Sequence, residues 1–202
     1  MALLKGLYGI SNEILNPNDE IFRMLGQAIK GGLKIFQLRD KSHCDEEILN
    51  LSLKLVRFCA ENDVLFVMND RVDLAIEVGA DGVHIGEQDC SLREVRKRFK
   101  GKIGVSCYDR LELALKAQEE GADYVAFGAF FDSKTKPNAK RVSLDIIKKA
   151  KQELSIPICA IGGINHQNIH LLKDVEMVAV IGGLWQGDIQ KNAKLMIEHW
   201  KK

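Results

Sequence analysis

The stretch FVMNDRVDLAIEVGADGVHIGEQD, residues 66–89, decides the fold. An apolar run over residues 64–68 leads to Asp70, a short helical pattern follows, and a second apolar run, Gly82–Ile85, leads to Asp89. Two apolar strands joined by a helix are the repeating unit of a parallel α/β sheet. Each strand therefore delivers a carboxylate just past its carboxyl end, which is the edge where α/β proteins bind their ligands.

Strand-like and helical patterns alternate along the whole chain. Segments GADGV at 79–83 and GADYV at 121–125 each lead from a helix end into a strand, an echo that is typical of stacked β/α units. Eight β/α pairs in about 200 residues are the lower limit for a (β/α)8 barrel, so we predict an α/β TIM barrel with a single domain over residues 1–202. A doubly wound sheet is the alternative. The strand-like runs cover residues 7–10, 34–38, 64–68, 82–85, 102–106, 124–127, 157–161 and 177–181.

The bulk composition disfavours several classes of function. The 202 residues carry 29 Lys and Arg against 28 Asp and Glu, a net charge of +1, so nothing indicates a nucleic-acid-binding surface. No apolar run approaches the roughly 20 residues that cross a bilayer, and the N-terminus lacks a secretory pattern. The five cysteines are scattered, odd in number and without a CxxC motif, which favours reduced thiols in a cytoplasmic protein over a zinc site or disulfides.

Charged side chains follow the second, third and fourth strands. Gln37, Arg39 and Lys41 share one side of an extended chain because they are spaced two residues apart. Asp70 and Asp89 end adjacent strands, and two such carboxylates suit a Mg²⁺ ion that also keeps waters and phosphate oxygens. A Mg²⁺ ion that bridges them to a pyrophosphate would explain why cations and carboxylates share one edge. Alternatively, the carboxylates cap the next helices and the cations form a solvated charge run.

Two glycine pairs and one long loop predict a phosphate site. The pairs, residues 162–163 and 182–183, follow the last two strands, where barrel enzymes often bind phosphate through backbone N–H groups. Simple strand-to-helix turns also use glycine there. Loop 128–141 carries the basic tip SKTK at 133–136, and its length favours a mobile binding lid over an ordinary polar loop. We expect His84, inside a strand, to be a core residue.

Eight short motifs together resemble the thiamine phosphate synthase family. They follow that family's order and spacing and cover almost the whole chain, and their combination is specific although each motif alone is weak. The motifs are QLRDK at 37–41, NDRVD at 69–73, GADGVH at 79–84, QD at 88–89, GVS at 104–106, GADY at 121–124, TK at 135–136 and AIGGI at 160–164.

The resemblance implies a barrel transferase that uses Mg²⁺ to join a hydroxymethylpyrimidine pyrophosphate to a thiazole phosphate. Its partners would be these small molecules, with neither nucleic acid nor a membrane, and a homo-oligomer is compatible with it. The metal ligands implied are Asp70 and Asp89. The catalytic residues implied are Arg39, Lys41, Ser106 and Lys136. The substrate-binding residues implied are Gln37, Leu38, Arg39, Asp40, Lys41, Asn69, Ser106, Ser133, Lys134, Thr135, Lys136, Gly162, Gly163, Ile181 and Gly182.

Two positions depart from the family pattern. The family's loop often reads Pro-Thr or Pro-Ser where this chain has Asp132 and Ser133, so this chain has a negative charge near the expected phosphate. Many members have Ser where this chain has Gly182, which keeps the backbone N–H but loses one hydroxyl group.

Two other functions remain open: a thiazole tautomerase on the same fold, and a non-catalytic phosphate-ligand sensor. The joint presence of Asp70, Asp89 and Lys136 argues against both. Tautomerisation needs a group that exchanges a proton near neutral pH, and in the tautomerase relatives a histidine shortly after the strand-five serine has that role. Here Ser106 is followed by Cys107 and Tyr108 instead. We therefore predict Mg²⁺-dependent condensation and negligible tautomerisation.

Overall fold

The chain forms a closed barrel of eight parallel strands. The computed structural model describes residues 3–87, 89–132 and 141–201. Each strand pairs in parallel with the next, and β1 pairs with β8 to close the barrel. The predicted (β/α)8 barrel is therefore confirmed, and the alternative of an open doubly wound sheet is wrong. The strands are β1 (Gly6–Ile10), β2 (Ile35–Leu38), β3 (Leu65–Asn69), β4 (Gly82–Ile85), β5 (Lys102–Tyr108), β6 (Tyr124–Phe127), β7 (Ile158–Ile161) and β8 (Met177–Val180).

Helices surround the barrel. The segment after β7 forms a short 3-10 helix, Ile169–Leu172. Strand β5 runs two residues further than predicted, and a register shift between Ser106 and Tyr108 disturbs its pairing with β6. No helix in the described ranges is long and apolar enough to cross a membrane. The α-helices are α1 (Ile21–Lys30), α2 (Asp45–Glu61), α3 (Val72–Val78), α4 (Leu92–Arg98), α5 (Leu111–Glu119), α6 (Asp145–Glu153), α7 (Gly182–Trp185) and α8 (Ile189–Trp200).

Apolar side chains pack in two layers, one between strands and helices and one inside the barrel. The inner layer includes Tyr8 and Tyr124, each 1% exposed, whose rings meet edge to face with centroids 6.3 Å apart. Gly104 leaves room for the Tyr124 ring, because a Cβ atom at residue 104 would lie 2.0 Å from it. The two tyrosines thereby bring hydroxyl groups into a largely apolar interior.

Carboxylates tie neighbouring strands together at the amino-terminal end of the barrel. The repeated GAD segments explain two of them, because each aspartate precedes a strand and accepts a hydrogen bond from a backbone N–H near the start of the previous strand. A glutamate before β8 repeats the arrangement. The contacts are Asp81 with Phe66 N at 2.8 Å, Asp123 with Ile103 N at 2.9 Å, and Glu176 with Ile158 N at 2.9 Å. This echo in the sequence therefore belongs to strand pairing.

Candidate active site

Two adjoining cavities open at the carboxyl-terminal end of the strands. Their volumes are about 610 Å³ and about 310 Å³, and Ile161, Gly162 and Ile181 line both. Most of the predicted substrate-binding residues that the structure describes therefore surround one connected space. The larger cavity is lined by the predicted residues Gln37, Arg39, Asn69 and Ser106, and the smaller by Gly162, Gly163, Ile181 and Gly182.

The loop after β1 holds the cationic end of β2 in place. The backbone N–H of Lys41 donates to the Glu13 carboxylate, and Nη1 of Arg39 lies 3.9 Å from the same carboxylate. The hydroxyl of Ser11 accepts a hydrogen bond from the Arg39 N–H at 2.8 Å. Arg39 lines the larger cavity, whereas the Lys41 ammonium contacts Asp70. Glu13 and Ser11 were missed in the sequence because neither follows a recognisable motif.

Two members of the QLRDK motif contribute to the structure of this region. Leu38 is 3% exposed and packs between strands and helices. The Asp40 carboxylate accepts hydrogen bonds from the backbone N–H groups of Ser42 and His43, at 2.9 and 3.0 Å, and pairs with His43 Nδ1 at 2.8 Å. Burial opposes ionisation, but these hydrogen bonds outweigh it and lower the pKa of Asp40. Substrate contact by Leu38 and Asp40 stays a prediction.

Asp70 and Asp89 follow the neighbouring strands β3 and β4. Asp70 has a left-handed φ of 59°, and its N–H donates to the carbonyl oxygen of His84 at 2.8 Å. Asp89 accepts a hydrogen bond from the Gly86 N–H at 2.6 Å. Burial, and then the neighbouring Asp70 carboxylate, raise the pKa of Asp89. The pair thus favours a cation, and Lys41 already contacts one member.

Helix capping does not account for these two carboxylates. The N-cap of α4 is Ser91, whose hydroxyl accepts from Glu94 N, and the N-cap of α3 is Arg71. In the described parts of the chain, no group of three or more His, Cys, Asp or Glu side chains is arranged to hold a metal. A Mg²⁺ ion held by Asp70 and Asp89 would complete its coordination with waters and phosphate oxygens, as this ion commonly does.

Arg71 is a further residue of the site region that the sequence reasoning did not single out. Its Nη2 donates to the carbonyl oxygens of Asp40 and His43, at 2.8 and 2.5 Å. Its Nη1 donates to Asp45 at 2.5 Å. Arg71 thereby ties the segment after β3 to the loop after β2, so the positions of Lys41 and Asp70 are coupled.

A chain of hydrogen bonds, buried at Gln37 and Tyr8 and partly buried at His84 and Ser106, crosses the barrel at the larger cavity. Gln37 Nε2 donates to the Tyr8 hydroxyl at 2.6 Å, and the two tyrosine hydroxyls are 3.0 Å apart. The Tyr124 hydroxyl lies 2.9 Å from His84 Nδ1, and His84 Nε2 lies 2.9 Å from Ser106 Oγ. Gln37, His84 and Ser106 all line the cavity. The chain therefore connects two predicted substrate-binding residues through three that were not predicted.

His84 corrects one expectation from the sequence. We expected a core residue, but its imidazole lines the larger cavity and both ring nitrogens have hydrogen-bond partners. Removal from water lowers the pKa of His84 to about 4, although Asp70 opposes this shift. The imidazole is therefore neutral at physiological pH and is a poor general base, because a base of such low pKa binds protons weakly.

The first glycine pair is required by close packing. Gly162 has a φ of +104°, and a Cβ atom there would lie 2.4 Å from the Cβ of Ala129. Gly163 has a φ of +65°, and a Cβ atom there would lie 2.4 Å from the carbonyl oxygen of Asp132. Phe131 N donates to the Gly162 carbonyl oxygen at 3.0 Å. The pair is therefore more than a simple turn, since it lets the segment after β6 pack against the end of β7.

The loop after β6 is described at its two ends. The Asp132 carboxylate accepts two hydrogen bonds from Arg141, Nε at 2.8 Å and Nη2 at 2.6 Å, which offset the negative charge beside the smaller cavity. The departure at Asp132 is thereby accompanied by a compensating cation. The predicted residues Ser133, Lys134, Thr135 and Lys136 lie outside the described residues, as does the central part of the predicted lid, residues 133–140.

Together, the fold and the site define a (β/α)8-barrel enzyme with an Arg39-lined cavity, an adjoining glycine-lined recess, and paired carboxylates at the ends of two strands. A family model described as thiamine monophosphate synthase matches residues 7–184. The chain therefore belongs to the thiamine monophosphate synthase family, and it is a transferase that forms thiamine phosphate.

Individual relatives agree with this assignment over nearly their whole length. The chain is 49% identical to the thiamine-phosphate synthase of Wolinella succinogenes, covering 98% of this chain and 95% of that protein. It is 41% identical to the thiamine-phosphate synthase of Thioalkalivibrio sulfidiphilus, covering 90% and 88%. The solved structure of thiamine phosphate pyrophosphorylase from Pyrococcus furiosus superposes with a TM-score of 0.88 at 32% identity, covering 97% of this chain and 95% of that one.

Proposed function

We propose that the chain condenses 4-amino-2-methyl-5-hydroxymethylpyrimidine pyrophosphate with 4-methyl-5-hydroxyethylthiazole phosphate in a Mg²⁺-dependent reaction. The products are thiamine phosphate and pyrophosphate. The observation that carries this proposal is the meeting of Asp70, Asp89 and Lys41 at one strand edge beside a cavity lined by Arg39. Carboxylates next to cations fit a substrate whose anionic group arrives with a divalent ion.

The pyrophosphate lies, in this proposal, between the ends of β2, β3 and β4. Mg²⁺ held by Asp70 and Asp89 would neutralise charge that develops on the leaving pyrophosphate. Arg39 and Lys41 donate hydrogen bonds to the same group, and Lys136 is proposed to do so from the loop after β6.

The pyrimidine ring occupies the larger cavity, where Gln37, Asn69 and Ser106 contact it. The thiazole phosphate occupies the smaller cavity, with backbone N–H groups at Gly162 or Gly163 and at Ile181 and Gly182 as donors. Ser133 and Thr135 are proposed to add hydroxyl groups there. The shared wall of the two cavities supports this arrangement, because the two substrates must meet for a bond to form.

The proposed reaction is dissociative. The bond between the pyrimidine methylene carbon and the pyrophosphate oxygen breaks first, and the electron pair leaves with the pyrophosphate. The aminopyrimidine stabilises the positive charge on the methylene carbon, and the thiazole nitrogen then attacks that carbon. No side chain acts as a nucleophile, so the protein's contribution is charge stabilisation and positioning.

Small molecules alone act as partners in this proposal, and a homo-oligomer is compatible with it. A cytoplasmic location is also proposed. It is supported by the five cysteines, all of which are free thiols, with Cys59, Cys107 and Cys159 buried.

The direct test is to mix both substrates with Mg²⁺ and to measure products by mass spectrometry. We expect thiamine phosphate and pyrophosphate in equal amounts, and no product when EDTA replaces Mg²⁺. A parallel assay should supply a thiazole carboxylate phosphate without pyrimidine. Efficient metal-independent tautomerisation there, without thiamine phosphate in the first assay, would contradict the proposal.

A further inference from the structure

We propose that Tyr8, Tyr124 and His84 are positioning residues that set the hydrogen-bond polarity of the pyrimidine pocket. They make the Ser106 hydroxyl a donor and the Gln37 side-chain oxygen an acceptor toward the ring. This inference rests on the proposed function, because it specifies how the larger cavity recognises an aminopyrimidine.

The direction of each bond follows from the hydrogen-bonding capacity of its atoms. Gln37 Nε2 is only a donor, so the Tyr8 oxygen accepts from it. The single Tyr8 proton then goes to Tyr124, because the reverse direction would leave a buried proton of Tyr8 without an acceptor, which is costly. Tyr124 in turn donates to His84 Nδ1. An imidazole that accepts at Nδ1 carries its proton on Nε2.

Gln37 and Ser106, the two ends of the hydrogen-bond chain, thereby have opposite roles toward a ligand. His84 Nε2–H donates to Ser106 Oγ, so the Ser106 hydroxyl proton is directed elsewhere. No residue in the described part of the chain accepts it, and none donates to Gln37 Oε1. Both residues line the larger cavity. The pocket therefore offers one acceptor and one donor, which matches an amino group and a ring nitrogen of an aminopyrimidine.

Three of the five members of the hydrogen-bond chain are buried well enough to enforce this order. Tyr8 and Tyr124 are each 1% exposed, and Gln37 is 2% exposed. Water therefore has little access to replace a missing partner, and Gly104 keeps the Tyr124 ring against the barrel wall. A site built to hydrogen-bond a substrate group rejects analogues that lack it, because its own buried groups are then unpaired.

The test compares the competitive inhibition constants of 4-amino-5-hydroxymethyl-2-methylpyrimidine and of the analogue without the amino group. The wild type should prefer the amino compound by about tenfold or more, the value of one well-formed hydrogen bond. Tyr124→Phe keeps the ring but breaks the chain, and should reduce this preference by about fivefold. Tyr8→Phe should act in the same direction. The KM for thiazole phosphate should stay within about twofold in both variants.

Phe66→Leu is the matched control, because Phe66 is fully buried in the outer layer and outside the chain. It should lower the melting temperature but leave the preference unchanged. An equal loss of preference in Phe66→Leu and Tyr124→Phe would overturn the proposal, as would an unchanged preference in Tyr124→Phe.

A second readout is independent of ligand. ¹⁵N NMR of labelled histidine should find the proton of His84 on Nε2 in the wild type, with the signal assigned through the His84→Asn variant. A proton on Nδ1 would reverse the chain and contradict the proposal. These outcomes differ from failure of the proposed function, which would be a wild-type protein that forms no thiamine phosphate.

Discussion

The two ends of the barrel place carboxylates in opposite electrostatic surroundings. At the amino-terminal end, Asp123 accepts hydrogen bonds from Lys102 Nζ at 2.8 Å, Arg96 Nη2 at 2.5 Å and the Ile103 N–H at 2.9 Å. Burial alone would raise its pKa, but these partners outweigh burial and the pKa of Asp123 is lowered. The ionised form of Asp123 therefore stabilises the fold.

At the carboxyl-terminal end, Asp70 and Asp89 face each other with fewer compensating charges. Burial and the Asp70 carboxylate raise the pKa of Asp89, so its ionised form costs stability until a cation arrives. The comparison teaches that a carboxylate's function can be judged by whether the fold has already neutralised it. For Asp123 the fold has done so, and for Asp89 a ligand is expected to do so.

The largest expected effect is a loss of turnover when the carboxylates at the carboxyl-terminal end of the barrel are replaced. Asp70→Asn or Asp89→Asn should reduce Mg²⁺-dependent turnover by several powers of ten, since stabilising the leaving group is worth roughly 3 kcal/mol or more. The melting temperature without Mg²⁺ should change little, because each variant removes repulsion between the two carboxylates, and in Asp70→Asn the lost ion pair with Lys41 offsets this gain. Steady-state kinetics and a thermal melt measure both quantities.

Asp73→Asn is the control for these variants, because Asp73 belongs to the same NDRVD motif but its side chain is 76% exposed and pairs with Arg98. Its turnover should stay near that of the wild type. Near-normal turnover in both Asp70→Asn and Asp89→Asn would remove the metal assignment.

The second effect is a loss of stability when carboxylates at the amino-terminal end of the barrel are replaced. Asp123→Ala should lower the free energy of unfolding by about 2 kcal/mol, because it leaves a strand N–H and two cations without their partner. Asp81→Ala should lower it by about 1 kcal/mol, since among the described residues the Asp81 carboxylate accepts one hydrogen bond, from the Phe66 N–H. Urea denaturation measures both, and turnover per folded molecule should change little. A large loss of turnover in a stable Asp123→Ala variant would break the comparison.

The smallest effect is a difference between Asp123 and Asp89 in how each makes the free energy of unfolding depend on pH. Asp123 has a lowered folded pKa, so its contribution to stability is present above its unfolded pKa of about 3.9 and is lost as pH falls through the folded pKa. Asp89 has a raised folded pKa, so its ionisation lowers stability as pH rises from about 3.9 through the folded pKa. Each of these contributions to the free energy of unfolding should stay below about 1 kcal/mol, because both side chains are partly solvated.

Urea denaturation with EDTA between about pH 3 and 7 measures these slopes. On acidification, Asp123→Asn should lose less stability than the wild type, and Asp89→Asn should lack the relief that protonation gives the wild type. Slopes of the same sign for both sites would contradict the assignment of opposite surroundings.

Much of the fold was predictable because its signals are local. Eight apolar runs, each followed by a helical pattern, were enough for the barrel, and every run overlaps an observed strand. The extension of β5 to Tyr108 was not predictable, because it depends on a register shift against β6 that involves residues distant in sequence.

The site was predictable where residues follow strand ends and not where the barrel interior brings strands together. Arg39 and Asp70 come directly after strands, Asp89 follows β4 after a short turn, and Ser106 lies near the end of β5. Their common edge therefore follows from the parallel sheet. The contact of His84 with Tyr124 joins residues 40 positions apart across the interior. The alternation of side chains along a strand could have indicated that His84 on β4 and Tyr124 on β6 face inward. It could not have predicted that they form a hydrogen bond with each other.

The central claim is that Asp70 and Asp89, at the carboxyl-terminal end of the barrel, bind pyrophosphate together with a divalent ion. Calorimetry of pyrophosphate binding tests this claim most directly. The titration should use the wild type with Mg²⁺, the wild type with EDTA, and the double variant Asp70→Asn, Asp89→Asn with Mg²⁺. The account predicts binding in the first titration and a loss of affinity of at least about 100-fold in the other two, as the removal of charge-stabilising groups implies. Equal affinity in all three titrations would contradict it.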